Sequence, residues 1–187
     1  MGEPLKHIQV KLIIGLISGR MRQFDARRND LEERFGRIDG ETQILDFSCT
    51  SYYEGELGRN LKRKFFSFKN LIDPGKSYRI KLYTNELEKK YSENNFRVVN
   101  IDPGYVSLTK LVLFTTKNRS HRIYLDEGIY ADQELMFENK SFRPLGWAFT
   151  DYRTTEYIDF FNAVRAKYFK QIKDEIHVPQ KKENFIY

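Results

Sequence analysis

Cysteine is nearly absent from this sequence. Cys49 is the single cysteine, and no Cys-x-x-Cys or paired Cys/His spacing occurs. An internal disulfide is therefore excluded, and so is a structural zinc site with the usual ligand spacing. Without a disulfide framework, the expected compartment is the reducing cytoplasm.

Long hydrophobic runs are also missing. The apolar stretch at residues 12–17 is far shorter than the roughly 20 residues of a membrane-spanning helix. Gly19-Arg20-Met21-Arg22 follows it, where a secretion signal would carry small residues before its cleavage site. We therefore interpret this stretch as a buried strand and expect no membrane partner.

What the sequence does contain suits one globular domain. Its 187 residues are 40% hydrophobic and 15% aromatic, which excludes a disordered chain. No internal repeat or low-complexity linker marks a boundary. We predict a single domain over residues 1–176 and a polar C-terminal tail over 177–187.

The hydrophobic patterns predict an α+β fold with a mixed to mainly antiparallel sheet, an N-terminal helix and a long C-terminal helix packed on the sheet. Apolar residues at helical spacing place the first helix before Gly36 and the last helix over 154–175. The segment Asp102-Pro103-Gly104 is typical of a turn. Strands are expected at 7–18, 44–49, 63–68, 79–83, 97–101, 109–116, 122–125 and 135–138.

Positive charge is concentrated in two windows. The net charge is +6, yet residues 59–81 contain eight basic residues and one acid, and residues 103–125 contain four basic residues and no acid. If the strands of these windows are neighbours, they form a cationic face for phosphate or nucleic acid. Otherwise they are solvated faces without a ligand.

Six segments together resemble an uncharacterised bacterial family of domains of unknown function. They are Tyr52-Tyr53-Glu54-Gly55-Glu56-Leu57-Gly58, Lys81-Leu82-Tyr83-Thr84-Asn85-Glu86-Leu87-Glu88, Asn100-Ile101-Asp102-Pro103-Gly104-Tyr105, Thr115-Thr116-Lys117, His121-Arg122-Ile123-Tyr124-Leu125 and Asp151-Tyr152-Arg153. Some members of that family are labelled GTP-binding proteins, which is what the resemblance would imply for function.

The residues do not support that label. Gly75-Lys76-Ser77 matches the end of a phosphate-binding P-loop, but Asn70 stands at its first glycine position. Pro74 also removes a backbone N–H that the loop requires. Residues 77–80 are expected to form a strand, whereas a P-loop continues into a helix. No Asn-Lys-x-Asp string for guanine recognition is present.

Two nearby carboxylates are candidates for a magnesium site. Glu54 and Glu56 share one side if their segment is extended, and Asp102 would complete the oxygen ligands with substrate phosphates. The alternatives are salt bridges of the two glutamates with Arg59, Arg63 or Arg122, and a purely structural Asp102 in its turn.

A proton-transfer site is indicated around the turn between two predicted strands. Lys117, His121 and Arg122 flank this turn, and His121 and Asp102 are candidate catalytic residues together with Lys117. Strand alternation puts His121 and Arg122 on opposite faces unless the turn extends past Ser120. A structural, hydrogen-bonded His121 is the alternative.

These observations predict a cleft that binds a phosphorylated small molecule or nucleotide, with Mg²⁺ as a candidate cofactor and with catalysis left open. Its candidate ligand-binding residues are Lys81, Asn85, Tyr105, Arg122 and Arg153. The alternatives are an RNA-binding module that uses the 59–81 surface, and an interaction protein without a small ligand.

Overall fold

The apolar run near the N-terminus forms the central strand β1 (Val10–Ser18), all nine residues of which are buried in the computed structural model. Such a strand is covered on both faces of its sheet. Its expected position as a buried strand is confirmed. The structure describes residues 2–50 and 52–176, so the tail predicted at 177–187 lies outside the described residues.

One nine-stranded sheet contains every named strand, in the order β2-β4-β1-β5-β6-β8-β7, with β3 paired to β4 and β9 to β8. All of these pairs are antiparallel. The other strands are β2 (Ile38–Glu41), β3 (Leu45–Asp46), β4 (Lys62–Ile72), β5 (Asn100–Val106), β6 (Lys110–Thr115), β7 (Ile123–Asp126), β8 (Ile129–Glu138) and β9 (Ser141–Pro144).

Helices cover both faces of this sheet. One core contains Phe24 and Leu31 of the first helix and Leu87 of the third, and the opposite core contains Phe161 and Val164 of the last. The predicted α+β fold with an antiparallel sheet and a long C-terminal helix is therefore confirmed. The described helices are α1 (Arg22–Phe35), α2 (Glu54–Leu57), α3 (Tyr78–Lys90) and α4 (Thr155–Ile176).

Both terminal helices follow their sequence signals. Gly36, with φ of 88°, ends α1 and donates its backbone N–H to the carbonyl oxygen of Glu32. Helix α4 buries residues at helical spacing, namely Tyr157, Phe161, Val164, Tyr168 and Ile172. None of the helices in the described ranges is long and apolar enough to cross a membrane.

The strand expected at 79–83 is wrong, because this segment lies inside α3. A short 3₁₀ turn at Pro74–Lys76 precedes the helix, and the Asp73 carboxylate accepts the backbone N–H of Gly75 there. The buried positions of α3 are three or four residues apart: Tyr78, Lys81, Thr84, Leu87 and Glu88. Over five residues this spacing cannot be told from strand alternation.

The turn expected at Asp102-Pro103-Gly104 is also wrong, because these residues lie inside β5 and pair with β1. On the other side of β5, pairing with β6 covers only Gly104 to Val106. Pro103 has no N–H to donate, so the ladder stops where Pro103 begins. Towards Asn100, β5 and β6 therefore diverge, and we call this opening in the sheet the fork.

The remaining differences concern strand lengths and two strands that were not predicted, β2 and β9. Within residues expected to form a strand at 44–49, β3 comprises Leu45–Asp46 alone. Strand β8 starts at Ile129, six residues before its expected beginning, and forms a hairpin with β9, which was not predicted. A turn with positive φ at Asn139 and Lys140 separates β8 from β9.

We predict that Gly104→Ala destabilises the protein. A Cβ at this position would overlap the backbone carbonyl oxygen of Val112 in β6, and neither backbone can move without opening the ladder. We expect a loss of about 1–3 kcal/mol in the free energy of unfolding, measured by urea denaturation. Gly55→Ala is the matched control, because its Cβ meets nothing within 4 Å in α2. Equal stabilities of the two variants would contradict this view of the fork.

Candidate functional site

A cleft of about 850 Å³ occupies the fork between β5 and β6. Its walls come from four parts of the chain: the segment before α2, helix α3, the β6–β7 connection, and the segment that follows β9. Seven lysines and arginines and five acidic side chains line it. This volume lies within the usual range for small-molecule sites.

Asp102 forms the floor of the cleft with two cations. Its carboxylate lies 3.4 Å from Lys81 Nζ and 3.6 Å from an Arg63 nitrogen, and it accepts a 2.6 Å hydrogen bond from Asn100. Burial alone would raise the pKa of Asp102, but Lys81 and Arg63 lower it below its usual value. Asp102 is therefore an anion held in place by its neighbours.

The fork makes this arrangement possible. Asp102 is in register with Gly15 and Gly15 with Phe65, whose ring packs against Phe161 of α4. Asp102 therefore faces the α4 side of the sheet. Lys81 projects from α3 on the opposite side and also donates to the carbonyl oxygen of Ile101 at 2.9 Å, so it passes the edge of β5 through the opening.

Arg97 connects α2 to the floor. It binds both carboxylate oxygens of Glu56 at 2.6 Å, and it donates to Glu88 and Asn100 at 2.9 Å each. The hydrogen bonds from Arg97 lower the pKa of Glu56. Burial raises the pKa of Glu88. Because a bidentate arginine fixes a carboxylate in one orientation, Glu56 acts here as an anchor for α2.

His121 and Arg122 converge on one buried carboxylate, that of Asp132 in β8. Arg122 Nε donates to Asp132 Oδ2 at 2.7 Å, and His121 Nε2 lies 3.4 Å from Asp132 Oδ1. Strand β7 begins only at Ile123, so the turn extends past Ser120. The condition under which both side chains can face one pocket is therefore met.

Two more buried carboxyl groups, those of Glu134 and Asp151, lie near Asp132. Glu134 occupies the position where the register between β6 and β8 shifts by one residue, as in a β-bulge, and its carboxylate accepts the backbone N–H of Phe149 at 2.8 Å. Burial and the charge of Asp132 raise the pKa of Glu134 to about 8. Burial also raises the pKa of Asp151.

At the mouth of the cleft, formed by Tyr52, Lys117 and Arg119, the positive side chains are not ion-paired as they are at its floor. Among the described residues, Lys117 and Arg119 have no carboxylate within 4.0 Å, whereas Arg97 and Arg122 are ion-paired. Lys117 Nζ instead lies 3.0 Å from the hydroxyl oxygen of Tyr52, and this contact lowers the pKa of the tyrosine. Cationic charge is therefore available at the mouth.

Aromatic rings line the same opening. Tyr52, Trp147 and Phe149 are 65%, 48% and 46% exposed. The Trp147 ring stacks on the His121 imidazole with centroids 5.3 Å apart, and its indole N–H donates to the carbonyl oxygen of Gln133. Exposed rings of this kind offer a stacking surface to a planar ligand.

Most of the sequence-predicted site residues meet in the cleft. Its lining includes six of them: Lys81, Asn85, Asp102, Lys117, His121 and Arg122. Tyr105 packs instead beside Phe114 in a separate apolar cluster. Arg153 donates to backbone carbonyl oxygens of residues 145, 146 and 148, which braces the segment after β9.

The magnesium pair is not assembled as expected. Glu54 and Glu56 lie on helix α2 and not on an extended segment; Glu54 is exposed outside the cleft lining, and Glu56 is held by Arg97. The alternative of a salt bridge applies to Glu56, but its partner is Arg97 and none of the three arginines that were expected. Within residues 2–50 and 52–176, no group of three or more His, Cys, Asp or Glu side chains is arranged to hold a metal ion.

The structure also revises two expectations about phosphate binding. A helix does follow Gly75-Lys76-Ser77, contrary to the expected strand, yet Lys76 is not part of the cleft. The strands of the two basic windows are not neighbours, because β1 and β5 separate β4 from β6. Residues of both windows nevertheless line the cleft, namely Arg63 and Lys81 of the first and Lys117, Arg119 and Arg122 of the second. In β4, Lys62 and Lys64 pair with acidic residues and Arg63 is buried.

Several lining residues were missed by the sequence reasoning as site residues: Arg63, Glu88, Arg97, Asp132 and Trp147. The sequence does contain a signal for Asp132. The two acidic residues Asp132 and Glu134 stand at alternate positions between the apolar residues Ile129 and Leu135. Acidic residues at alternate positions of a strand indicate a polar site on one face. Arg97 carries no such pattern.

The fold and the cleft together define an α+β protein with a charged pocket in a split antiparallel sheet. A family model described as a domain of unknown function, DUF4416, matches residues 8–168, and the chain belongs to this family. No curated protein and no solved structure matches the chain. Each of the six segments that carry the sequence resemblance contributes residues to the cleft.

We predict that Glu134 makes stability fall as the pH rises. Its pKa is about 8 in the folded protein against 4.5 for an ordinary glutamate, so the folded state holds the extra proton between these values. The stability contributed by the protonated form is complete below pH 4.5 and is lost as the pH rises through about 8.

Glu134→Gln imitates the neutral carboxyl group and removes this dependence. We expect the free energy of unfolding of the wild type to decline relative to the variant with a slope approaching about 1.4 kcal/mol per pH unit. Urea denaturation at several pH values between 5 and 8 measures the difference. Parallel pH profiles of the two proteins would contradict a proton bound at Glu134.

Proposed function

We propose that the cleft binds a phosphorylated small molecule, with a nucleotide as the ligand that suits it best. The observation that carries this proposal is the joint presence, in one cleft, of two cations without an acidic partner among the described residues, Lys117 and Arg119, and of exposed aromatic rings. We also propose the cytoplasm as its compartment, on the basis of the single cysteine.

The charge distribution supports an anionic ligand. The floor carboxylates Asp102 and Asp132 are compensated by their own cations, so an incoming phosphate meets little uncompensated negative charge there. Lys117 and Arg119 at the mouth are free to form charge-assisted hydrogen bonds with phosphate oxygens. We place the phosphate group at these two residues.

The aromatic rings support a planar group on the ligand. Tyr52 and Phe149 line the same cleft as Lys117, and a nucleobase stacks favourably on such exposed rings. Asn85 of α3, whose side chain forms no hydrogen bond to other described residues, offers an amide for base recognition. A sugar phosphate would use the cations but not the rings.

We still propose Mg²⁺ as a cofactor of this cleft. Because the described residues hold no preformed metal cluster, Mg²⁺ would enter bound to the phosphates of the ligand, as is common for this ion. The alternatives have less support. An RNA surface over 59–81 is divided by internal ion pairs, and an interaction protein without a ligand has no need for a pocket that joins six segments.

We predict that Lys117→Ala weakens nucleotide binding. Isothermal titration of the full chain with AMP, ATP, GTP and glucose 6-phosphate, with and without Mg²⁺, measures the dissociation constant Kd. We expect Kd to rise about tenfold, which corresponds to one lost charge-assisted hydrogen bond of about 1.4 kcal/mol. The double replacement Lys117→Ala with Arg119→Ala should weaken binding further.

Lys76→Ala is the matched control, because Lys76 is an exposed lysine outside the cleft. Its Kd should equal that of the wild type. Tighter binding of a nucleotide than of glucose 6-phosphate supports the stacking role of the aromatic rings. Failure of all four ligands to bind would refute the proposed function, and salt-dependent binding of single-stranded RNA alone would favour the RNA alternative.

A further inference from the structure

The imidazole of His121 has the environment of a catalytic base. Among its contacts with the described residues, Nε2 faces the Asp132 carboxylate at 3.4 Å, one ring face stacks on Trp147, and Nδ1 forms no hydrogen bond. Its side chain is 22% exposed, so a ligand in the cleft can reach it. A base that is oriented by a third group and has one free nitrogen is a recurrent catalytic arrangement.

Asp132 Oδ1 is the carboxylate oxygen that faces Nε2 of His121. Asp132 is 1% exposed, and its Oδ1 is buried without a hydrogen bond from any described residue, whereas Oδ2 accepts from Arg122 at 2.7 Å. A buried carboxylate oxygen without a donor is costly. Donation from Nε2–H of His121 would satisfy it, and this tautomer leaves Nδ1 as a proton acceptor.

The other candidate catalytic groups are less suited to accept a proton. Asp102 is engaged by Asn100, Lys81 and Arg63. Lys117 is an exposed ammonium group, which has no acceptor site. His121 is therefore the group in the cleft that combines access with a free acceptor.

We propose that the cleft hydrolyses a phosphate ester or anhydride of its ligand, with His121 as catalytic base and Asp132 as its positioning residue. The inference rests on the proposed phosphate binding at Lys117 and Arg119. Water is the second reactant: its oxygen bonds to phosphorus as the bond from phosphorus to the leaving oxygen breaks. His121 accepts the proton of the water, the leaving oxygen receives a proton from solvent, and no group changes oxidation state.

The charged groups around His121 are consistent with this role. Asp132 stabilises the imidazolium that forms, and Arg122 compensates the same carboxylate and donates to the carbonyl oxygen of Lys117 at 2.8 Å. Arg122 therefore connects the proposed base to the proposed phosphate site. Glu134, two residues beyond Asp132, is buried behind it and has its raised pKa.

The test measures inorganic phosphate released by the full chain from para-nitrophenyl phosphate, AMP, ATP and GTP, alongside Kd for each probe. His121→Asn should slow release about 100-fold or more, with Kd unchanged within about threefold, because loss of a general base affects the chemical step. His7→Asn is the matched control, since His7 is exposed and does not line the cleft. Its rate should equal that of the wild type.

The pH profile separates a base from a structural residue. The wild-type rate should fall on the acid side of its pH profile, where a general base is lost by protonation, and His121→Asn should lack this limb. Asp132→Asn should slow release and shift the limb, which a purely structural carboxylate would not do. If burial against Arg122 makes that variant unstable, the His121 comparison still decides, because the Asp132–Arg122 pair remains intact in it.

The outcomes distinguish this inference from the proposed function. Probes that bind but release no phosphate would overturn hydrolysis and leave ligand binding supported. An equal rate in the wild type and in His121→Asn would also overturn it. If none of the probes binds, both the proposed function and the inference fail.

Discussion

The backbone contact between β5 and β6 at Gly104 determines where this protein has a cleft. Gly104 permits the two strands to approach closely, and Pro103 next to it ends their pairing because it has no N–H. A sheet that is continuous elsewhere is thereby opened at one place. Side chains from both of its faces, such as Lys81 and Asp102, meet in that opening, which in a continuous sheet would be filled by a hydrogen-bonded ladder.

The second constraint is that several carboxylates are buried, and three of them are each paired with a cationic side chain. Asp102, Glu88 and Asp132 are all held by arginine or lysine, so each carboxylate retains partners after it leaves water. Such pairs contribute little net stability, since desolvation offsets their attraction. Their effect is positional: they fix the floor of the cleft before a ligand arrives. Preorganised polar groups of this kind are what a binding or catalytic site requires.

The sequence allowed the outer architecture to be predicted better than the fork. Helix α4 has 22 residues and repeats its buried positions from Tyr157 to Ile172, and Gly36 ends α1, so both signals are long or chemically specific. Residues 79–83 are too few to separate a helix from a strand. The residue types of Asp102-Pro103-Gly104 are those of a turn, yet the segment lies in strand β5. Pro103 has no N–H to donate, which suits the edge of a strand where no partner strand is paired. Tertiary contacts, which a local pattern does not encode, decided both cases: packing of a helix in the first and strand pairing in the second.

The candidate site shows the same division between local and tertiary information. Lys117, His121 and Arg122 are close in sequence, and their convergence depended only on the length of one turn. Asp132 reaches the cleft through the pairing of β8 with β6, and Arg97, which precedes β5, is held there by its ion pair with Glu56 of α2. Both contacts join residues that are far apart in the chain. Arg122, next to Asp132, is ion-paired, while Lys117 and Arg119 of the same turn have no carboxylate within 4.0 Å among the described residues. A ligand phosphate would therefore bind where the chain is locally basic and would be oriented by groups that only the fold assembles.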